Sequence, residues 1–102
     1  MLTKRHLALI RAALLFFDEE MSPHGPAVAR PYFEVPLDRD LAPEEAEQLR
    51  QLLQTCELKY ACGDSSGTHL LSPELTASVE KARNVALAHS GRLVTVLLDR
   101  EF

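Results

Sequence analysis

The chain has 102 residues and a mass of 11.4 kDa, which is the size of one small domain. Hydrophobic residues make up 46% and charged residues 25%, and this composition excludes disordered, collagen-like and low-complexity proteins. The 11 basic and 15 acidic side chains give a net charge of −4, which argues against a dedicated nucleic-acid binder because such domains are normally basic. We therefore predict a single domain over residues 1–102.

Charge is unevenly distributed along the chain. Residues 1–11 carry three basic groups and no acidic group, whereas residues 12–57 carry three basic and ten acidic groups, a balance of −7. The basic start could contact phosphate or lipid headgroups, and the acidic stretch could attract a basic partner. A solvated surface explains both runs more simply, and we adopt that interpretation.

The first predicted element is a helix from about Thr3 to Met21, ended by the proline and glycine residues that follow it. Every residue from Leu7 to Phe17 except Arg11 is apolar, so the apolar surface runs all the way round the helix. A chain of this length has little material with which to enclose such a helix. We therefore expect another subunit to cover part of it and predict an interface formed by Leu7, Ile10, Leu14 and Phe17.

The start of this helix also resembles a secretory signal, with basic residues before an apolar run. Arg11 interrupts the run, and the acidic residues 18–20 stand where a cleavage site would be expected. The run is also too short to span a bilayer. We therefore predict that the segment is part of the fold.

Two further elements are predicted before the sheet. Residues 22–42 are expected to be irregular or extended and to lie over the core as a lid, with Tyr32 to Val35 forming at best a short edge strand. A second helix is predicted from about Pro43 to Gln54, because proline suits a first helical turn and the glutamates after it complement the helix dipole. The apolar face of this helix consists of Ala46, Leu49, Leu52 and Leu53.

Residues 56–62 are either a continuation of the second helix or a strand. Leu58 would leave the apolar face of a helix, whereas apolar side chains at every second position fit a strand, which we favour. Residues 63–67 then predict a hairpin loop that returns through Thr68 to Leu71. A third helix is predicted with Ser72 as N-cap and Pro73 as its first residue, and a last strand runs from Arg92 to Leu98.

The predicted fold class is α+β, with about three helices on one face of a small, mostly antiparallel sheet of about three strands. The order is helix, extended lid, helix, strand, strand, helix, strand. A mainly α fold with a two-stranded ribbon is the alternative. Such a sheet has edges, and an unpaired edge invites a symmetric strand-to-strand dimer.

The 63–72 loop is the best candidate for a small-molecule site. It offers two glycines, several hydroxyl groups and a nearby helix start, which together suit an anion, although no lysine follows as in a nucleotide-binding P-loop. The predicted ligand-binding residues are Asp64, Ser65, Ser66, Thr68 and His69.

The cysteines and histidines predict neither a metal site nor a cofactor. Cys62 and His69 form the best pair, but they lack a third and a fourth ligand, and no C-x-x-C or helical zinc spacing is present. A strand would place Cys56 and Cys62 about 20 Å apart, beyond the roughly 7 Å limit for a disulfide. We therefore expect both cysteines to be reduced, as in a cytoplasmic protein.

Cys62, His69 and Asp64 can be written as a nucleophile, a base and an acid, but only geometry can make them a catalytic set, and no catalytic residue is predicted. The leading hypothesis is a small cytoplasmic protein-interaction module without catalysis. It would act as a homodimer or as a subunit of a larger assembly, with no nucleic-acid or membrane partner. The alternative is an anion binder or enzyme that uses the 63–72 loop.

Overall fold

The computed structural model describes residues 1–99 and confirms the α+β fold class, with helices and a two-stranded antiparallel sheet. The chain divides into two compact units. The sheet unit consists of Met1–Lys4 and the chain from Cys56 onward, and the helical unit consists of Arg5–Thr55. Whether residues 1–102 act as one domain stays a prediction.

The predicted first helix forms over most of its length. Helix α1 spans Lys4–Phe16, and the chain continues as a π-helical turn over Phe17–Met21, in which the N–H of Ser22 donates to the carbonyl of Phe17. Helical structure is first interrupted at Gly25, one of the residues expected to end the helix, whose φ is 93°. Two short 3₁₀ helices follow, over Ser22–His24 and Pro26–Tyr32.

Part of residues 22–42, which were predicted to be irregular or extended, is therefore 3₁₀ helical, and residues 33–42 contain no helix or strand. Pro26 opens the second 3₁₀ helix, because proline suits a first turn and its missing N–H costs nothing there. Tyr32 ends this helix, so no edge strand forms at Tyr32 to Val35. Helix α2 spans Glu45–Thr55 and agrees with the prediction to within two residues.

Strand β1 spans Glu57–Gly63 and strand β2 spans Arg92–Leu98, and the two pair in antiparallel register with Glu57 opposite Leu98. The period-two interpretation of residues 56–62 is thus confirmed. Helix α3, Val79–Ala88, packs on both strands. The buried hydrophobic side chains of the sheet unit are Leu58, Tyr60, Ala61, Cys62, Ala82 and Ala86.

The predicted start of the third helix at Ser72 and Pro73 is wrong. Helix α3 begins at Val79, and its N-cap is Ser78, whose hydroxyl accepts from the N–H of Lys81 at 3.3 Å. Residues 70–76 instead lie along the outer edge of β1, where Tyr60 exchanges backbone hydrogen bonds of 2.7 and 2.9 Å with Thr76.

The reason is that the outer backbone groups of a buried strand need hydrogen-bond partners. The carbonyl of Cys62 accepts from the N–H of Leu71 at 2.9 Å, and Gly63 forms an isolated bridge with Leu70. These contacts replace the predicted return strand from Thr68 to Leu71. Within residues 1–99 the sheet accordingly has two strands, where about three were expected.

Candidate functional site

The predicted anion-binding loop is a turn held together by hydrogen bonds to Asp64. The N–H of Asp64 donates to the carbonyl of His69 at 2.8 Å, and the N–H of Gly67 donates to the carbonyl of Asp64 at 3.0 Å. The Asp64 carboxylate accepts from the Ser66 hydroxyl at 2.7 Å and from the N–H of Thr68 at 3.1 Å. The structure thus brings together four of the five predicted ligand residues, and the fifth, Ser65, is exposed at the tip.

These hydrogen bonds favour the negatively charged form of the Asp64 side chain. The hydrogen bond from Ser66 lowers the pKa of Asp64 to about 2, and backbone N–H donors, among them that of Thr68, act in the same direction. The carboxylate is therefore ionised at neutral pH and occupies donors that a bound anion would need. An anion site at this loop stays a prediction, and the charge of Asp64 argues against it.

The histidine of the loop is not arranged as a proton relay. Its Nδ1 atom lies 3.0 Å from the Thr68 hydroxyl and 3.3 Å from the Asp64 carboxylate, so acid and hydroxyl meet the same ring nitrogen. A relay needs the acid on one nitrogen and the nucleophile on the other. Cys62, the candidate nucleophile, is buried, and its Sγ atom donates to the carbonyl of Gly63 at 3.7 Å.

Neither cysteine is in a disulfide, and Cys56 is half-buried. In the described part of the chain, no group of three or more histidine, cysteine, aspartate or glutamate side chains is placed to hold a metal ion.

Three of the four predicted interface residues are shielded from solvent: Leu7 is buried, and Leu14 and Phe17 are half-buried, with Phe17 in the π-helical turn after α1. The fourth, Ile10, is exposed. Seven residues are about two helical turns, so Leu7 and Leu14 share one face. Leu7 is covered within the chain and is not part of the exposed surface. An interface formed by the four predicted residues stays a prediction.

The exposed apolar surface of α1 is on the opposite side. The side chains of Leu9 and Phe16 are 68% and 64% exposed and are also seven residues apart, with Ala12 and Ala13 exposed between them. Sequence analysis missed these residues because an apolar pattern that goes all the way round the helix does not mark a side. We call Leu9, Ala12, Ala13 and Phe16 the α1 face.

A second exposed feature is the outer edge of β2. The backbone N–H and carbonyl of Tyr60 point away from β2, because they bond Thr76. Thr95 lies opposite Tyr60, and in an antiparallel ladder the backbone groups of such a pair both point outward. By alternation, the outward backbone groups of β2 are those of Leu93, Thr95 and Leu97. Within residues 1–99, these groups have no backbone partner. The strand-to-strand dimer expected from an open edge stays a prediction.

The helical unit also contains a cavity of about 250 Å³, lined mainly by apolar side chains. At its rim Arg30 and Asp40 form a bidentate ion pair with distances of 2.9 and 2.6 Å. The hydrogen bond from Arg30 lowers the pKa of Asp40. Because each charge already has its counterion, the pair offers no free charge to a ligand.

Comparison of the chain with protein-family models, curated proteins and solved structures gives no match. None of the helices within residues 1–99 combines the length and the apolar character needed to cross a bilayer.

Proposed function

We propose that this protein is a small cytoplasmic protein-interaction module that acts as a homodimer or as a subunit of a larger assembly, without catalysis. The observation that carries the proposal is the α1 face, on which a leucine and a phenylalanine both have about two thirds of their surface in water. A contiguous apolar face of this kind is typical of a protein–protein contact.

The energetics favour a weak association. Full burial of a leucine or phenylalanine side chain stabilises by about 1.5–3 kcal/mol. Two copies would bury four such side chains, and this gain is of the same order as the association cost of roughly 4–15 kcal/mol. Because the gain and the cost nearly cancel, we expect at most a weak dimer that forms only at high protein concentration.

Other features support the compartment and the class of partner. The two free cysteines suit a reducing compartment, and the net charge of −4 does not favour nucleic acid or an anionic membrane surface. The closed geometry of the 63–72 loop supports a function in binding another protein over catalysis at that loop.

The test is the molecular mass in solution, measured by native mass spectrometry and analytical ultracentrifugation at protein concentrations up to about 1 mM. The wild-type chain should populate a mass of twice 11.4 kDa, and Leu9→Glu should shift the protein to the monomer. The matched control is Leu87→Glu, because Leu87 is an exposed leucine on α3 with 76% of its surface in water. The control should dimerise like the wild type.

A wild-type protein that stays at 11.4 kDa at every concentration and binds no other protein would refute the proposal. Equal loss of the dimer in Leu9→Glu and Leu87→Glu would show that the contact is not made by the α1 face.

A further inference from the structure

We infer that the α1 face binds the same face of a second copy with the two helices antiparallel, so that Leu9 of each copy packs on Phe16 of the other and Arg5 pairs with Glu20. This inference rests on the proposed function, and it specifies the partner and the register of the contact.

The side chains follow one another along the α1 face in an order that a second copy can match. Arg5 precedes Leu9 by four residues, and Glu20 follows Phe16 by four, in each case about one turn. The segment that carries Glu20 is π-helical, and its slightly longer turn leaves this residue near the same face. From start to end the face therefore presents a cation, a large apolar group, two alanines, a large apolar group and an anion.

This order is complementary to itself when it is reversed. In a two-fold arrangement centred between Ala12 and Ala13, Arg5 lies opposite Glu20, Leu9 opposite Phe16 and Ala12 opposite Ala13. A parallel arrangement would instead place Arg5 against Arg5 and Glu20 against Glu20, which is repulsive. The charges thus select the antiparallel orientation.

Both charges at the ends of the face are available to a partner. Arg5 and Glu20 are exposed, and neither takes part in a salt bridge with another residue of the described chain, 1–99. Because the two copies are related by a two-fold axis, the pair between Arg5 and Glu20 would form twice in one dimer.

The centre of the α1 face carries only small side chains. Ala12 and Ala13 carry single methyl groups, so two helix axes can approach to the short end of the usual 8–10 Å range. At that separation Leu9 and Phe16 would reach across to the partner helix. An unrelated protein would need its own matching order of charges and apolar groups, whereas a second copy of this chain carries it by symmetry.

The experiment is a charge reversal followed by sedimentation equilibrium at low and high salt. Arg5→Glu and Glu20→Arg should each raise the dimer Kd about tenfold at low salt, because each reversal turns two attractive pairs into repulsive ones. The double variant Arg5→Glu/Glu20→Arg should restore the Kd to within about twofold of the wild type, since it rebuilds both pairs with the charges exchanged. High salt should shrink all of these differences.

The matched controls are Lys4→Glu and Glu19→Arg. They make the same changes in net charge one residue away, about 100° around the helix and off the face. Each should change the Kd less than about twofold at low salt. Far-ultraviolet circular dichroism reports whether a variant has lost helix, and recovery in the double variant shows that the single changes act on association.

The outcomes separate this inference from the proposed function. If the wild type dimerises but the two face variants behave like the controls, or the double variant stays weak, then self-association stands and this register is refuted. If the wild type never dimerises, both fail. If the chain remains a monomer but binds a different protein through Leu9, the module stands and the second copy is refuted as the partner.

Discussion

The sheet unit and the helical unit use their apolar side chains in opposite ways. The sheet unit buries leucine, tyrosine and cysteine side chains of β1 under α3. The helical unit buries only Leu7 and two alanines, Ala29 and Ala46, whereas Leu9, Phe16 and other large apolar side chains of this unit remain exposed.

The two units differ because a core forms only where side chains from elements distant in sequence meet on one surface. In the sheet unit, residues 57–63 pair with 92–98 and α3 covers them. Burial of large apolar groups is the main stabilising term, so changes in the sheet unit should act on stability. Changes on the α1 face should act on association and leave the fold intact.

The largest effect is expected for Cys62→Glu. The Cys62 side chain is 1% exposed, and an unpaired carboxylate there costs several kcal/mol, a large part of the roughly 5–15 kcal/mol that stabilises a domain. We expect loss of folded protein, measured by far-ultraviolet circular dichroism and soluble yield. Leu9→Glu is the counterpart in the helical unit and should stay folded. If both variants unfold equally, then a change on the α1 face affects stability as much as one in the sheet unit, which contradicts the expected difference between the two units.

Gly91→Ala should have the next largest effect, because there is no room for a side chain at this position. An added Cβ atom would overlap the carbonyl oxygen of Gly63 and the Sγ atom of Cys62. Forcing such an overlap typically costs about 1–3 kcal/mol of the free energy of unfolding. Urea denaturation measures this loss, with the exposed loop substitution Ser65→Ala as a control that should change nothing. A Gly91→Ala protein as stable as the control would contradict the close packing of Gly91 against Cys62 and Gly63.

Tyr60→Phe tests a single hydrogen bond in the sheet unit. The Tyr60 hydroxyl donates to the carbonyl of Leu2 at 2.7 Å, and a hydrogen bond of this kind contributes about 0.5–1.5 kcal/mol. The urea midpoint should fall by a corresponding amount. Tyr32→Phe is the matched control in the helical unit, since Tyr32 is 77% exposed, and its midpoint should not move. The same midpoint for both variants would show that the hydroxyl of Tyr60 adds nothing.

The smallest effect concerns Asp64 and acid. Its pKa is about 2 in the folded chain, below the roughly 3.9 of an unfolded aspartate. A depressed folded pKa contributes stability above the unfolded value, and this contribution is lost as the pH falls from about 4 to 2. Asp64→Asn should therefore make the urea midpoint fall less steeply over that range than in the wild type, with Asp38→Asn as the control. If the urea midpoint falls equally with pH in the wild type and in Asp64→Asn, the hydrogen bonds to Asp64 do not stabilise this loop.

Several elements could be predicted because their signals are local. Strand β2 has the predicted bounds Arg92–Leu98, since a run of valine and leucine with one threonine favours a strand wherever it pairs. Helix α2 agrees to within two residues, because its glutamates and apolar spacing lie within the helix itself.

The start of α3 and the organisation of the 63–72 loop could not be predicted in the same way. Ser72 and Pro73 form a good local start signal, but the backbone groups at the outer edge of β1 draw residues 70–76 alongside the strand. In the loop, residue types alone suggested an anion site, and only the folded geometry shows that Asp64 takes the hydrogen bonds of Ser66 and Thr68.

From the amino-acid pattern alone, residues 56–62 could be predicted to alternate as a strand, and α1 could be predicted to be apolar on every side. The side of α1 that is exposed could be found only from the folded chain, in which Leu7 is buried and Leu9 and Phe16 are in water. Periodicity indicates which side of a helix is buried only where polar and apolar residues lie on different sides. An evenly apolar helix leaves that choice to the packing of the rest of the chain.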